Sequence, residues 1–266
     1  MRSARFQKLE KGLDRVKALF LPAQRLTSGG YTPDDCDRSA AYIAMAHAEI
    51  QHYFDDKARE LAQKGVYAFE QKGMLSREVI SLISYLLPKD PFSRDPATAL
   101  PAETRATTKA KAVDIGVPNV LAQNITRAAK SYEDDIRQKN NGIKSFNLMN
   151  LFLPLGLSAT GFHPKWLAKM DDIGESRGNN VHKSLGSTII GDPFEFFDDI
   201  ERAMWGDPAW TSGVKQIASI ASFDQLVDDR IRNLTGRRDS FSFDNTVLPD
   251  ANWKFQAPVA YNSFLK

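Results

Sequence analysis

Arg177 and His182, with four residues between them, are the pair whose types and spacing best suit chemistry on a phosphate. A histidine near its unperturbed pKa can take a proton from a ribose 2′-hydroxyl or return one to a leaving oxygen. An arginine fork can hold a phosphate and neutralise the charge that gathers on its oxygens. One such pair is sparse for phosphodiester cleavage, but two copies facing across a two-fold axis would supply both an acid and a base. Residues five apart on an ideal helix point about 140° away from each other. Gly178, Asn179 and Asn180 lie between the pair and are poor helix formers that compete with the backbone for hydrogen bonds. The stretch therefore predicts a local loosening that turns both side chains toward one point.

Other chemistry-bearing residues fit a site less well. His47, Glu49 and His52 look superficially like metal ligands, but the two histidines are five apart and Glu49 is two from His47, so the three do not share a helix face. His163, beside Pro164, reads as a local capping or surface residue. The sequence has no glycine-rich phosphate loop, no G-x-S-x-G and no H-E-x-x-H. The single cysteine, Cys36, excludes an intramolecular disulfide and a cysteine-based zinc finger. No metal and no cofactor are expected.

The elements that position these residues read as helices. Phe6, Leu9, Leu13, Val16 and Phe20 recur at helical spacing. Thr32, Pro33, Asp34 and Asp35 open a second helix with cap, first-position proline and acidic first turn, and Gly65 predicts its end near Lys64. Tyr42, Met45, Ala46, Ile50, Tyr53 and Phe54 line its apolar side, with Glu49 inside the stripe, either reaching solvent at the edge or paired with an arginine. Further helices are predicted over 76–87, 103–113, 117–139 and 143–155, the last fully buried, and the prolines between Pro88 and Ala102 mark a loop. Trp166, Leu167, Met170 and Ile173 lead into the Arg177 stretch, which reads as the segment that organises the chain. Asp192-Pro193-Phe194-Glu195 reads as a capping box opening the next helix, and a final helix is predicted from about Ser212 to Leu234. The tail from Gly236 loses helical period yet carries Phe241, Phe243, Trp253, Phe255, Tyr261 and Phe264, too many aromatics for a disordered segment. It is expected to pack, extended, on the domain or on a partner subunit. The fold class is all-α, with a helical domain over 1–235 and a tail over 236–266.

Composition narrows the function classes. With 266 residues, 42% hydrophobic and 26% charged, the chain is an ordinary globular mix able to bury a substantial core. A net charge of only +2, from 35 basic and 33 acidic residues, requires any anion site to be local. The N-terminal MRSARFQKLEKGL lacks the apolar run of a secretory signal, and the most apolar stretch, 148–157, is too short to span a membrane. A soluble, cytoplasmic protein is expected.

Arg177-Gly178-Asn179-Asn180-Val181-His182 resembles the R-x(4–6)-H motif of the HEPN superfamily of helical, metal-independent endoribonucleases of toxin–antitoxin, abortive-infection and CRISPR systems. The segment Tyr42-x(6)-Glu49-Ile50-x(2)-Tyr53 on an early long helix, well ahead of the motif, is similar to the RiboL-PSP-like branch. The likeness covers roughly 6–234 and leaves the tail out. In one place the chain departs from the pattern: the family usually has a polar residue directly after the arginine, where this chain has Gly178.

The resemblance implies a HEPN-like bundle with extra helices and a homodimer in which Arg177 and His182 of two subunits meet at a cleft. It implies an RNA substrate cut by 2′-hydroxyl attack. Asn179 or Asn180 would orient the phosphate or the imidazole, and Glu49 would pair with Arg177 or His182. Arg230, Arg232, Arg237 and Arg238, or the basic face of the first helix (Arg5, Lys8, Arg15), would guide RNA. An antitoxin or a defence-system partner belongs to the same reading. The alternatives are a non-catalytic HEPN-like module that binds RNA, nucleotide or protein, and a helical scaffold in which the motif is incidental.

Overall fold

The computed structural model describes residues 2–26, 30–86, 118–181, 192–210 and 216–236. The loop 88–102, the helix 103–113, His182, Arg237, Arg238 and the aromatic tail lie outside the described residues, as do the side chains of Asn179 and Asn180. The described residues are all-α: eight α-helices, two 3-10 turns and no β-strand. In chain order the helices are α1 (Ala4–Phe20), α2 (Pro33–Lys72), α3 (Arg77–Leu86), α4 (Pro118–Lys139), α5 (Ser145–Phe152), α6 (Pro164–Val181), α7 (Pro193–Trp205) and α8 (Ile220–Thr235). None is long and apolar enough to cross a membrane.

The fold is built around α2 rather than around the Arg177 stretch. Its 40 residues span roughly 60 Å at the helical rise, and every other α-helix packs against it. Thr32 Oγ1 accepts from Asp35 N at 3.2 Å while Asp35 Oδ2 accepts from Thr32 N at 3.0 Å, so both ends of a capping box are in place. The helix passes through Gly65 and stops at Gly73, whose φ of +64° is the left-handed cap that glycine favours. Gly65 stays inside because α3 crosses there: a Cβ at Gly65 would stand 3.2 Å from Glu78 Cβ. Tertiary approach, rather than a break, explains that glycine. Tyr42, Ala46, Ile50, Phe54, Ala58 and Leu61 are buried along α2, and Phe54, Phe152 and Phe223 meet edge to face at the centre.

Two boundaries and one cap differ from the sequence pattern. α5 covers only Ser145–Phe152, then tightens into a 3-10 turn at Leu153–Leu155 and ends at Gly156 (φ +76°), because Pro154 cannot continue an α-helical ladder. It is not fully buried either, since Phe146 is 72% exposed. α8 begins at Ile220 because Ser219 caps it, accepting from Ser222 N at 3.0 Å, while Ile217 just before it bridges to Phe162 in extended form. At α7, Asp192 accepts from Phe194 N at 2.9 Å, a single-residue cap in place of the reciprocal box.

Candidate functional site

α6 carries Arg177, and the helix runs without a break from Pro164 to Val181. The loosening predicted at Gly178-Asn179-Asn180 is absent from the backbone as far as Val181. Trp166, Met170 and Ile173 are fully buried and hold one face of α6 in the core. Asp171 on the same helix accepts from Ser145 N at 2.7 Å and Ser145 Oγ at 2.9 Å, capping α5 from outside and locking α6 to it. Helix propensity is a weak preference, and this packing overrides it.

Arg177 is half-buried, and its Nη1 donates to the carbonyl of Asn141 at 3.1 Å. That carbonyl belongs to the Asn140-Asn141-Gly142 turn between α4 and α5. The opposite side of the turn is held by α2: Gln51 Nε2 donates to the Asn140 carbonyl at 3.1 Å, and Asn140 Nδ2 donates to Asp55 Oδ1 at 2.6 Å. His47, Gln51 and Asp55 are four apart, so they form one polar line on α2 facing this turn. His47 is 2% exposed, and its Nδ1 is buried with no hydrogen-bond partner among the described residues. Burial, reinforced by the positive charge of Arg177, pushes the His47 pKa down to about 4. Its ring is therefore neutral at physiological pH. Burial also raises the pKa of Asp55, against the hydrogen bond from Asn140. A cleft of about 910 Å³ between α3, α4 and α5 reaches the same turn at Lys139 and Asn140.

The structure thus gives Arg177 a histidine neighbour that the motif did not name. The histidine the motif does name, His182, lies outside the described residues.

Glu49 is elsewhere. Two residues from His47 on a helix, it turns toward α1, where its carboxylate lies so close to Gly12 that a Cβ there would be 2.7 Å from Oε2. No ion pair joins Glu49 to Arg177 among the described residues. The pairing with Arg177 implied by the resemblance is not made, because α2 presents Glu49 to α1 and His47 to the turn that Arg177 reaches.

Most of the described arginines named as an RNA track are already engaged. Arg230 Nη1 meets Glu78 Oε1 at 3.2 Å, where Glu78 is nearly buried, and burial lowers the arginine's own pKa. Arg232 is shared between Asp229 at 2.6 Å and Asp228 at 3.5 Å. Arg5 bridges Asp56 and Glu60, whereas Lys8 and Arg15 remain exposed. His52 lies on the surface 3.6 Å from Asp56, and His163 is half-buried with its ring stacked on Trp210. No group of three or more histidine, cysteine, aspartate or glutamate side chains is placed to hold a metal ion among the described residues.

Chemically, the Arg177 corner can hold an anion. The guanidinium spends one donor on Asn141, and neither it nor Lys144 beside it forms an ion pair among the described residues. Compared with known proteins, the chain matches no family model, no curated protein and no solved structure.

Proposed function

We propose that this protein is a metal-independent endoribonuclease of HEPN type, acting as a toxin or antiphage-defence effector, with Arg177 and His182 as its catalytic residues. The observation that carries the reading is the state of Arg177: half-buried, fixed on an unbroken helix, and without a carboxylate to neutralise it among the described residues. A guanidinium held this way is ready for a phosphate.

In the reaction, the histidine of one subunit takes the proton of a ribose 2′-hydroxyl, and that oxygen attacks the adjacent phosphorus. Arg177 stabilises the charge that builds on the phosphoryl oxygens. The histidine of the second subunit gives a proton to the departing 5′-oxygen. One P–O bond forms as another breaks, leaving a 2′,3′-cyclic phosphate and a 5′-hydroxyl.

A second reading, a non-catalytic HEPN-like module that binds RNA, nucleotide or protein, is favoured by one observation. Arg177 already has a structural role, tying α6 to the Asn140–Gly142 turn. An oligoribonucleotide cut by the wild type separates the two when compared with the same strand carrying one 2′-deoxyribose at the cut site. The nuclease reading predicts cyclic-phosphate and 5′-hydroxyl ends from the first and no cleavage at that position in the second. Cleavage of the deoxy linkage, or 5′-phosphate ends, would exclude this mechanism.

A further inference from the structure

Lys144 lies beside Arg177 on the surface of α6. It precedes α5, and its side chain runs along α6 at Gly174: a Cβ added to Gly174 would come within 2.5 Å of Lys144 Cγ and 3.3 Å of its Cε. Gly174 is three residues before Arg177 and four before Gly178, so the three share one side of the helix. Above Gly178, no atom of the described residues lies within 4 Å of an added Cβ. This side of α6 therefore presents two cations and two positions with no side chain, one covered by the lysine stem and one bare.

Charge pairing sets this ridge apart from several of the protein's other cationic sites. Lys57, Lys169, Arg5, Arg230 and Arg232 are each held by carboxylates, whereas Lys144 and Arg177 form no ion pair among the described residues. Within reach of the Arg177 charge sits the buried Nδ1 of His47, unpartnered among the described residues, a polar atom that packing alone does not explain. Two unneutralised cations on one side of a helix, with the side-chain-free Gly178 beside the arginine, let a polyanion backbone approach the main chain closely. Its phosphate oxygens would meet the lysine as a point charge and the arginine as a fork.

We propose that Lys144 is a second phosphate-binding residue of the Arg177 site, and that the Gly174–Gly178 ridge seats the backbone of a single RNA strand. This rests on the RNA reading of Arg177, but it concerns binding rather than cutting, and the two can fail separately.

The test uses the full-length protein and a fluorescein-labelled oligoribonucleotide with 2′-O-methyl groups on every sugar, which has no hydroxyl for internal attack. Binding is followed by anisotropy in EDTA across a salt series. Lys144→Ala should weaken binding about fivefold at low salt and reduce the slope of log K against log salt by about 0.7, the value for one phosphate contact on a single strand. Gly178→Asp, which sets a carboxylate next to Arg177 where no described residue crowds it, should weaken binding at least about tenfold while its circular dichroism and melting match the wild type. Lys165→Ala, an exposed lysine on the opposite side of α6, should bind within about twofold of wild type.

Wild-type affinity in both Lys144→Ala and Gly178→Asp would overturn the proposal, as would a wild type that does not bind the strand. Parallel cleavage of the unmodified strand keeps the readings apart. Cutting by wild type with undiminished binding by Lys144→Ala retains the nuclease and removes this seat. Lost binding in the variants without cutting by wild type retains the seat and removes the nuclease.

Discussion

At His47, burial and a neighbouring guanidinium act in the same direction, and both favour the neutral ring. The unfolded chain gives this histidine its ordinary pKa of 6.5, whereas the folded chain holds it near 4. A depressed folded pKa contributes stability that is fully present above pH 6.5 and is lost as the pH falls toward 4. Compared with His47→Leu, which cannot titrate there, the wild type should lose unfolding free energy across that window and stay at a constant offset below it. Urea denaturation at a series of pH values reads the difference, and parallel curves for the two proteins would show that His47 is not held neutral. Removing the guanidinium should move the same titration: in Arg177→Ala the His47 pKa, followed by NMR of the imidazole, should rise. Burial, the larger cause, remains in that variant, so the rise is partial. No shift would mean that the arginine's charge does not reach the ring.

At the scale of the element, glycines separate local propensity from tertiary approach. Gly65 and Gly178 are both helical, but the space above them differs. Gly178→Ala adds a methyl that meets no described residue and should stabilise the protein by up to about 1 kcal/mol, the usual difference between glycine and alanine in a helix. Gly65→Ala pushes against Glu78 Cβ, which is tied to the α3 backbone, so the propensity gain is offset and the net change should be destabilising. Melting temperatures of the two variants should move in opposite directions; a rise in both would show that α3 yields freely.

The same contrast explains how much was legible in the sequence. Heptad-like spacing and cap chemistry placed α1, the start of α2 and the lead into α6, because those signals are local. The continuation of α2 through Gly65 and the start of α8 at Ser219 were not legible, since the first depends on a helix crossing and the second on an extended strip paired with Phe162. Arg177 was legible as a candidate from its spacing to His182. Its neighbour His47 was not, because their meeting is arranged by the Asn140–Gly142 turn, far from both in sequence. Glu49 was legible as an unusual residue in an apolar stripe, but facing toward α1 rather than α6 is decided by which helix packs on each side of α2.

Across the whole molecule, a buried ion pair closes the bundle from its two ends in sequence. Lys57 on α2 and Asp224 on α8 are each about 1% exposed, and they meet at 2.9 Å. Asp224 also accepts from the Ser3 amide at 2.9 Å, the Ser3 hydroxyl at 2.5 Å and the Tyr53 hydroxyl at 3.0 Å, so N-terminus, α2 and α8 share one carboxylate. Burial alone would raise the pKa of Asp224, but the Ser3 hydrogen bonds and Lys57 outweigh it and hold the carboxyl below its ordinary range. Lys57→Met leaves that charge buried with hydroxyl and amide donors only, and should cost about 3–5 kcal/mol in urea denaturation. Lys57→Met combined with Asp224→Asn leaves no charge behind and should cost less than Lys57→Met alone; an equal or greater cost would assign the loss to packing.

The claim that Arg177 and His182 form a metal-independent RNA-cutting centre is tested most directly by incubating total RNA in EDTA with the wild type, Arg177→Ala and His182→Ala. The account predicts cutting by the wild type that survives chelation and is lost in both variants, with all three proteins folded alike. Equal cutting by either variant, or none by the folded wild type, would contradict it.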